Sequence, residues 1–194
     1  MLDWRKAVDD LGNCVSEVHI VSVDNECKEL LLIMQREAAE LKVVCVNNDE
    51  VFVFGSSDDT FRSEGVKEWR SDATESTYLY EPNASIMKAG CFAELERAFG
   101  ARQVERNSHL FVSEHFIEDF PGRKFRVEKV TTLNKKDIKN ALDGIVKANI
   151  TVRNFPMSVE QLRKRLKIKE GGSDYIFATT LMDKSHVLLL CSRL

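Results

Sequence analysis

The sequence predicts an α+β protein built from two consecutive α/β domains, and three observations predict it. Short β-branched runs alternate with amphipathic segments along the whole chain, the pattern of sheets packed against helices. The 194 residues, 43% hydrophobic and 30% charged, suffice for two small cores. The charge also changes sign in mid-chain. Residues 1–120 carry 12 Lys+Arg against 24 Asp+Glu, whereas residues 121–170 carry 14 against 5. The reversal coincides with Pro121-Gly122, a pair that punctuates secondary structure. The expected domains are therefore residues 1–120 and 121–194.

The elements follow in order. Residues 3–12 read as a short helix, and Val18–Val23 as a buried strand. Asp24 or Asn25 is expected to cap a helix carrying Cys27, Leu30, Leu31 and Met34 at helical spacing. Leu41–Val46 and Val51–Gly55 read as strands joined by a turn at Asn47-Asn48-Asp49. This β-α-β-β order is the first part of a ferredoxin-like βαββαβ unit. The polar stretch 56–76 reads as a loop or insertion. Tyr78–Tyr80 is extended, and Asn83 caps one helix running from Ile86 to Phe99, with Gly100 as its stop. A further strand around Val104 and Leu110–Val112 closes the first domain.

In the second domain, Lys124–Val130 alternates polar and apolar, the period of a half-exposed strand. Asn134 caps a helix with Ile138, Ala141, Leu142, Ile145 and Val146 on one face. Ile150–Val152 is a strand, and Ser158 with Gln161 forms a capping box for the next helix. Gly171-Gly172 breaks that helix, and two strands, Tyr175–Leu181 and His186–Cys191, complete a β-α-β-α-β-β order.

Composition excludes several classes. No apolar run approaches the length of a membrane span, and Met1–Lys6 lead into no signal-peptide core. Five cysteines at no metal-clip spacing read as free thiols, pointing to a reducing cytoplasm. No catalytic motif is present: there is no Gly-rich cofactor loop, phosphate loop, zinc-protease helix or nucleophile elbow. No catalytic residue, metal site or cofactor is expected in this chain. His19, in an apolar strand, reads as a structural histidine.

Two segments carry binding chemistry. Glu81, Asn83 and Lys88 surround a strand-to-helix junction, where free first-turn N–H groups attract an anion. Lys135, Lys136, Lys139, Arg153, Arg163, Lys164, Arg165 and Lys167 fall in the basic block. Both helices of such a domain commonly pack on one side of the sheet, so these cations are expected to converge as a polyanion footprint. Few aromatic residues accompany them, which favours recognition of backbone, shape or an RNA end over single-strand stacking.

Three segments carry a family resemblance: Val23–Leu30, Tyr80-Glu81-Pro82-Asn83-Ala84-Ser85-Ile86-Met87-Lys88-Ala89-Gly90, and Ala148-Asn149-Ile150-Thr151-Val152-Arg153-Asn154-Phe155-Pro156. They resemble the C-terminal half of bacterial class I S-adenosylmethionine-dependent methyltransferases, which ends in a ferredoxin-like domain followed by a THUMP-like domain. The resemblance covers essentially the whole chain. It implies an RNA-binding region, with tRNA the expected partner, attached to an N-terminal methyltransferase domain that holds the S-adenosylmethionine. Residues 1–14 then read as a residual helix of that domain, and the chain as part of a longer, RNA-modifying protein. The chain alone is expected to lack methyl transfer. A protein-interaction or dimerisation module without nucleic-acid binding is the alternative. A small enzyme built on the Glu81–Lys88 turn is a third reading.

Overall fold

A computed structural model describes residues 2–36, 40–55 and 77–194. The expected loop at 56–76 lies outside the described residues. Contacts divide the chain into two units, Met1–Gly65 with Pro82–Ala98, and Val66–Glu81 with Phe99–Leu194.

The first unit opens with α1 (Trp4–Leu11), capped by the Asp3 carboxylate on the Arg5 and Lys6 N–H groups. The strands β1 (Val15–Val23), β2 (Glu26–Met34), β3 (Lys42–Asn47) and β4 (Glu50–Gly55) form a four-stranded sheet in the order β2-β1-β3-β4. Here the structure corrects the sequence reading, because the expected helix over Cys27–Met34 is strand β2. Asp24 and Asn25 both take positive φ, 51° and 61°, so they form a two-residue hairpin turn instead of a helix cap. Leu30 and Leu32 then alternate inward at strand period, opposite Ile20 and Val18.

One sheet face is covered by α2 (Ala84–Ala89), which buries Ile86 and Ala89 completely. The other face shows Leu31, Ile33, Val51 and Val53, each 42–60% exposed. The single helix expected from Ile86 to Phe99 is two, α2 and α3 (Phe92–Phe99). Gly90 breaks it in the left-handed region at φ 66°, returning its N–H to the Ile86 carbonyl.

The second unit holds a seven-stranded sheet. Its strands are β5 (Tyr78–Pro82), β6 (Arg102–Gln103), β7 (Phe111–Ser113), β8 (Gly122–Thr132), β9 (Asn149–Arg153), β10 (Asp174–Thr180) and β11 (His186–Arg193), ordered β6-β7-β5-β8-β11-β10-β9. The expected border at 120/121 falls inside this sheet, since β5 lies beside β8. The helices α4 (Lys135–Ala141) and α5 (Val159–Leu166) share one core with Ile176, Ala178, Leu188 and Leu190, and so cover one sheet face. The helix α4 stops at Ala141 instead of running to Val146, which is exposed. On the other face, Phe125, Phe177 and Leu189 pack with Leu79, Val104, Leu110 and Val112 in a second core. The β-α-β-α-β-β order expected for the second domain is the order seen in β8 to β11.

Candidate nucleic-acid interface

The helical face of the second unit assembles from local capping. The Asn134 side chain accepts the Lys136 N–H at 3.1 Å, and Thr132 Oγ1 donates to Asp137 at 2.7 Å, which fixes the start of α4. Lys135, Lys136 and Lys139 are exposed along it. In α5, Ser158 and Gln161 complete the expected capping box. Burial of Leu162 and Leu166, four apart, turns Lys164, Arg165 and the C-cap Lys167 outward. Arg163 donates to the Ala148 carbonyl at 3.3 Å and Arg165 to the Leu133 carbonyl at 3.0 Å. The second bond joins the end of α5 to the residue preceding the Asn134 cap, so the two basic helices are laced together. Carbonyl contacts orient a guanidinium without cancelling its charge. Among the described residues none of these seven cations pairs with a carboxylate.

Arg153 does not join them. On β9, Ile150 and Val152 face the helical core, so alternation sends Arg153 to the opposite face with its register partner Thr179. There Glu81, 3% exposed, holds two arginines. Arg153 donates Nε and Nη2 to Oε1 at 3.2 and 2.8 Å. Arg123 donates Nε to Oε2 at 2.8 Å and its Nη2 to the same oxygen. Both side chains remain about a third exposed, at 34% and 37%. One buried carboxylate thus faces two cations, and each arginine keeps its Nη1 end for another acceptor.

Glu105, also buried, anchors a neighbouring network. It accepts the Asn107 backbone N–H at 2.7 Å, the Asn107 amide at 3.4 Å and the Asn154 amide at 2.7 Å, with Lys184 Nζ 3.8 Å away. His109 lies in the same electrostatic neighbourhood. Burial first, and then the Arg153 charge, push its imidazole below the ordinary histidine range, against a smaller upward pull from Glu105.

The sequence-predicted anion site does not assemble. Asn83 spends its side chain on the protein, accepting from Ile86 N–H and Ser85 Oγ and donating to Glu50 at 2.8 Å. The Ala84 N–H is taken by Asn25 Oδ1 at 2.7 Å. Lys88, half-buried on α2, also has a partner. Glu81 belongs to the other unit and to its arginines. Sequence reasoning missed Arg123, Glu105, Asn154 and Lys184. The one available signal was a charged residue, Glu105, beside the apolar Val104 in a segment read as strand. Among the described residues no cluster of His, Cys, Asp or Glu could hold a metal ion, and no helix is long and apolar enough to cross a membrane.

Comparison with known proteins matches residues 122–193 to the THUMP domain-like family and residues 78–121 to a ferredoxin-like domain family. The ferredoxin-like match therefore lies on β5 to β7 and the helices between them, after the four-stranded sheet where the element order had suggested it to begin. No curated protein matches the sequence. The crystal structure of a presumed methyltransferase from Porphyromonas gingivalis W83 is similar over 100% of this chain, with 30% identity and a TM-score of 0.86. This chain spans 49% of that protein's length. The chain is thus similar throughout to half of a longer protein, with ferredoxin-like and THUMP domain-like matches on consecutive segments.

Proposed function

We propose that this chain is the RNA-recognition region of an S-adenosylmethionine-dependent RNA methyltransferase, with tRNA as the RNA. The observation that carries the reading is the laced pair α4 and α5, whose seven cations have no carboxylate partners among the described residues, in the segment matched to a THUMP domain-like family. Unneutralised cations on a rigid face bind phosphates by counterion release and read backbone position, not sequence. No Gly-rich cofactor loop occurs in this chain, so S-adenosylmethionine and the methyl transfer belong to a partner domain within a longer protein. Free cysteines support a reducing, cytoplasmic setting. The role of this chain is then to hold RNA while catalysis proceeds elsewhere.

The test is tRNA binding to the chain over a salt series. Replacing Lys135, Lys136, Lys164 and Lys167 by Ala should weaken binding and flatten the dependence on salt, by about 0.9 in slope for each duplex phosphate no longer neutralised. Unchanged affinity and slope in that variant would refute the assignment of this face.

The alternative, a protein-interaction module, is favoured by one observation, the exposed Leu31, Ile33, Val51 and Val53 on the four-stranded sheet. A dimer that persists at high salt, with no retention of tRNA, would support it.

A further inference from the structure

The Glu105 network borders an open hollow lined by Asn107, Asn154, Phe155, Thr180, Lys184 and His186. Its chemistry is more specific than that of the basic helices. A carboxylate in an ion-paired network only accepts hydrogen bonds, so both amide NH2 groups turn toward Glu105. The two amide oxygens are left without partners among the described residues. One carboxylate holds both amides, and both residues line the same hollow. Lys184 Nζ, 3.8 Å from that carboxylate, adds a donor at the rim. The wall is aromatic: Phe155 stands edge-on to the His186 ring, with centroids 5.5 Å apart. Thr180 fixes that ring too. Its single hydroxyl proton goes to the Asn154 carbonyl, so His186 Nδ1, 3.0 Å away, is the N–H donor of that pair.

Two acceptors, one donor and an aromatic wall around one hollow complement one common nucleobase edge. Guanine presents N1–H and N2–H donors beside the O6 acceptor on its Watson–Crick edge. Adenine and cytosine place a ring-nitrogen acceptor where an amide oxygen waits, and uracil offers one donor between two acceptors. We infer that this hollow receives an unpaired guanine, with Asn107 and Asn154 accepting from its donor edge, Lys184 meeting O6 and Phe155 contacting the ring. This deepens the RNA-recognition reading and rests on it for biological meaning. It adds base selectivity to a surface that would otherwise sense only phosphate.

The test uses single nucleotides on the intact chain, followed by chemical-shift perturbation. Guanosine 5′-monophosphate should bind more tightly than inosine 5′-monophosphate, which lacks the 2-amino donor, by roughly fivefold to tenfold, the effect of one hydrogen bond. Adenosine 5′-monophosphate should bind more weakly still. Asn107→Ala should bring the guanosine and inosine nucleotides to equal affinity, while Lys184→Gln, at a 77% exposed side chain, should weaken the guanosine and inosine nucleotides alike. Equal affinity for all three nucleotides, or a guanosine preference that survives Asn107→Ala, overturns the inference. Guanosine selectivity in a chain that fails to retain tRNA supports the hollow and removes the RNA-region reading. Retention of tRNA with no nucleotide discrimination does the reverse.

Discussion

Replacing Glu81 by Gln removes a charge that two arginines share, and the structure gives the cost a scale. Deleting one partner of a fully buried ion pair typically costs about 3–5 kcal/mol, because the remaining charge is stranded. Here the carboxylate is buried but Arg123 and Arg153 are about a third exposed, so both can recover part of their hydration. The expected loss is therefore about 2–3 kcal/mol. The substitution also turns an amide NH2 toward guanidinium donors, which prevents simple replacement of the hydrogen bonds. Arg153→Ala should cost less, about 1–2 kcal/mol, since Glu81 keeps Arg123. The double variant should fall short of the sum by about 1 kcal/mol or more, the signature of a shared partner. Urea unfolding followed by far-ultraviolet dichroism reads each difference; with a slope of about 1–3 kcal/mol/M, Glu81→Gln should lower the midpoint by roughly 1 M. A midpoint within about 0.2 M of the parent, or strict additivity in the cycle, would refute the picture of one carboxylate organising two cations.

Three further outcomes follow from groups of known burial. Tyr80 donates to the His115 carbonyl and accepts from the Ile117 N–H, and burial raises its phenol above the ordinary value of 10.0. Its contribution is thus fully present below pH 10 and is lost as pH rises through the raised value; a parent whose stability falls no faster than that of Tyr80→Phe above pH 10 would count against this. Among the thiols, Cys14 is exposed, whereas Cys45, Cys91 and Cys191 are buried. The hydrogen bond to Cys45 raises the Cys91 thiol most, and burial raises Cys191. An aromatic disulfide reagent should therefore modify Cys14 at once and reach the three buried thiols only on unfolding; prompt native-state reaction of all five would contradict the packing. Gly90→Ala places a Cβ at φ 66°, with its nearest neighbour, Arg5 Nη1, at 3.6 Å, so strain and not collision sets the cost. A destabilisation of about 1 kcal/mol is expected, and a stabilised variant would show that the left-handed cap is not required.

Much of the second unit was legible because its signals are local. Ser158 with Gln161 announces the start of α5, and the alternation through Phe125 and Val127 announces β8. The error at β2 has a physical origin. Asp24 and Asn25 are chemically suited both to cap a helix and to take left-handed turn conformations, and Leu30, Leu31 and Met34 fit a helical stripe. Pairing with β1 decides the matter, and pairing is not encoded in spacing. The cationic helices were found because like charges cluster along the chain. The Glu81 site was not, since its arginines lie 42 and 72 residues away. Arg153 shows the difference most clearly: charge counting grouped it with α4 and α5, and strand alternation put it on the opposite face.

The seven-stranded sheet separates two notions of a module. The THUMP domain-like match begins at Gly122, the first residue of β8, yet β8 takes one of its hydrogen-bonding edges from β5. A fragment cut at that border would present an open strand edge and uncover Phe125 and Phe177, whose neighbours Leu79, Val104, Leu110 and Val112 lie on the discarded side. The segment recognisable as a family match is therefore expected to need residues outside it to cover its core and its strand edge. A recombination or cloning boundary that respects this chain's hydrogen bonds must keep Tyr78–Glu81 and the chain after Phe99 together with everything that follows.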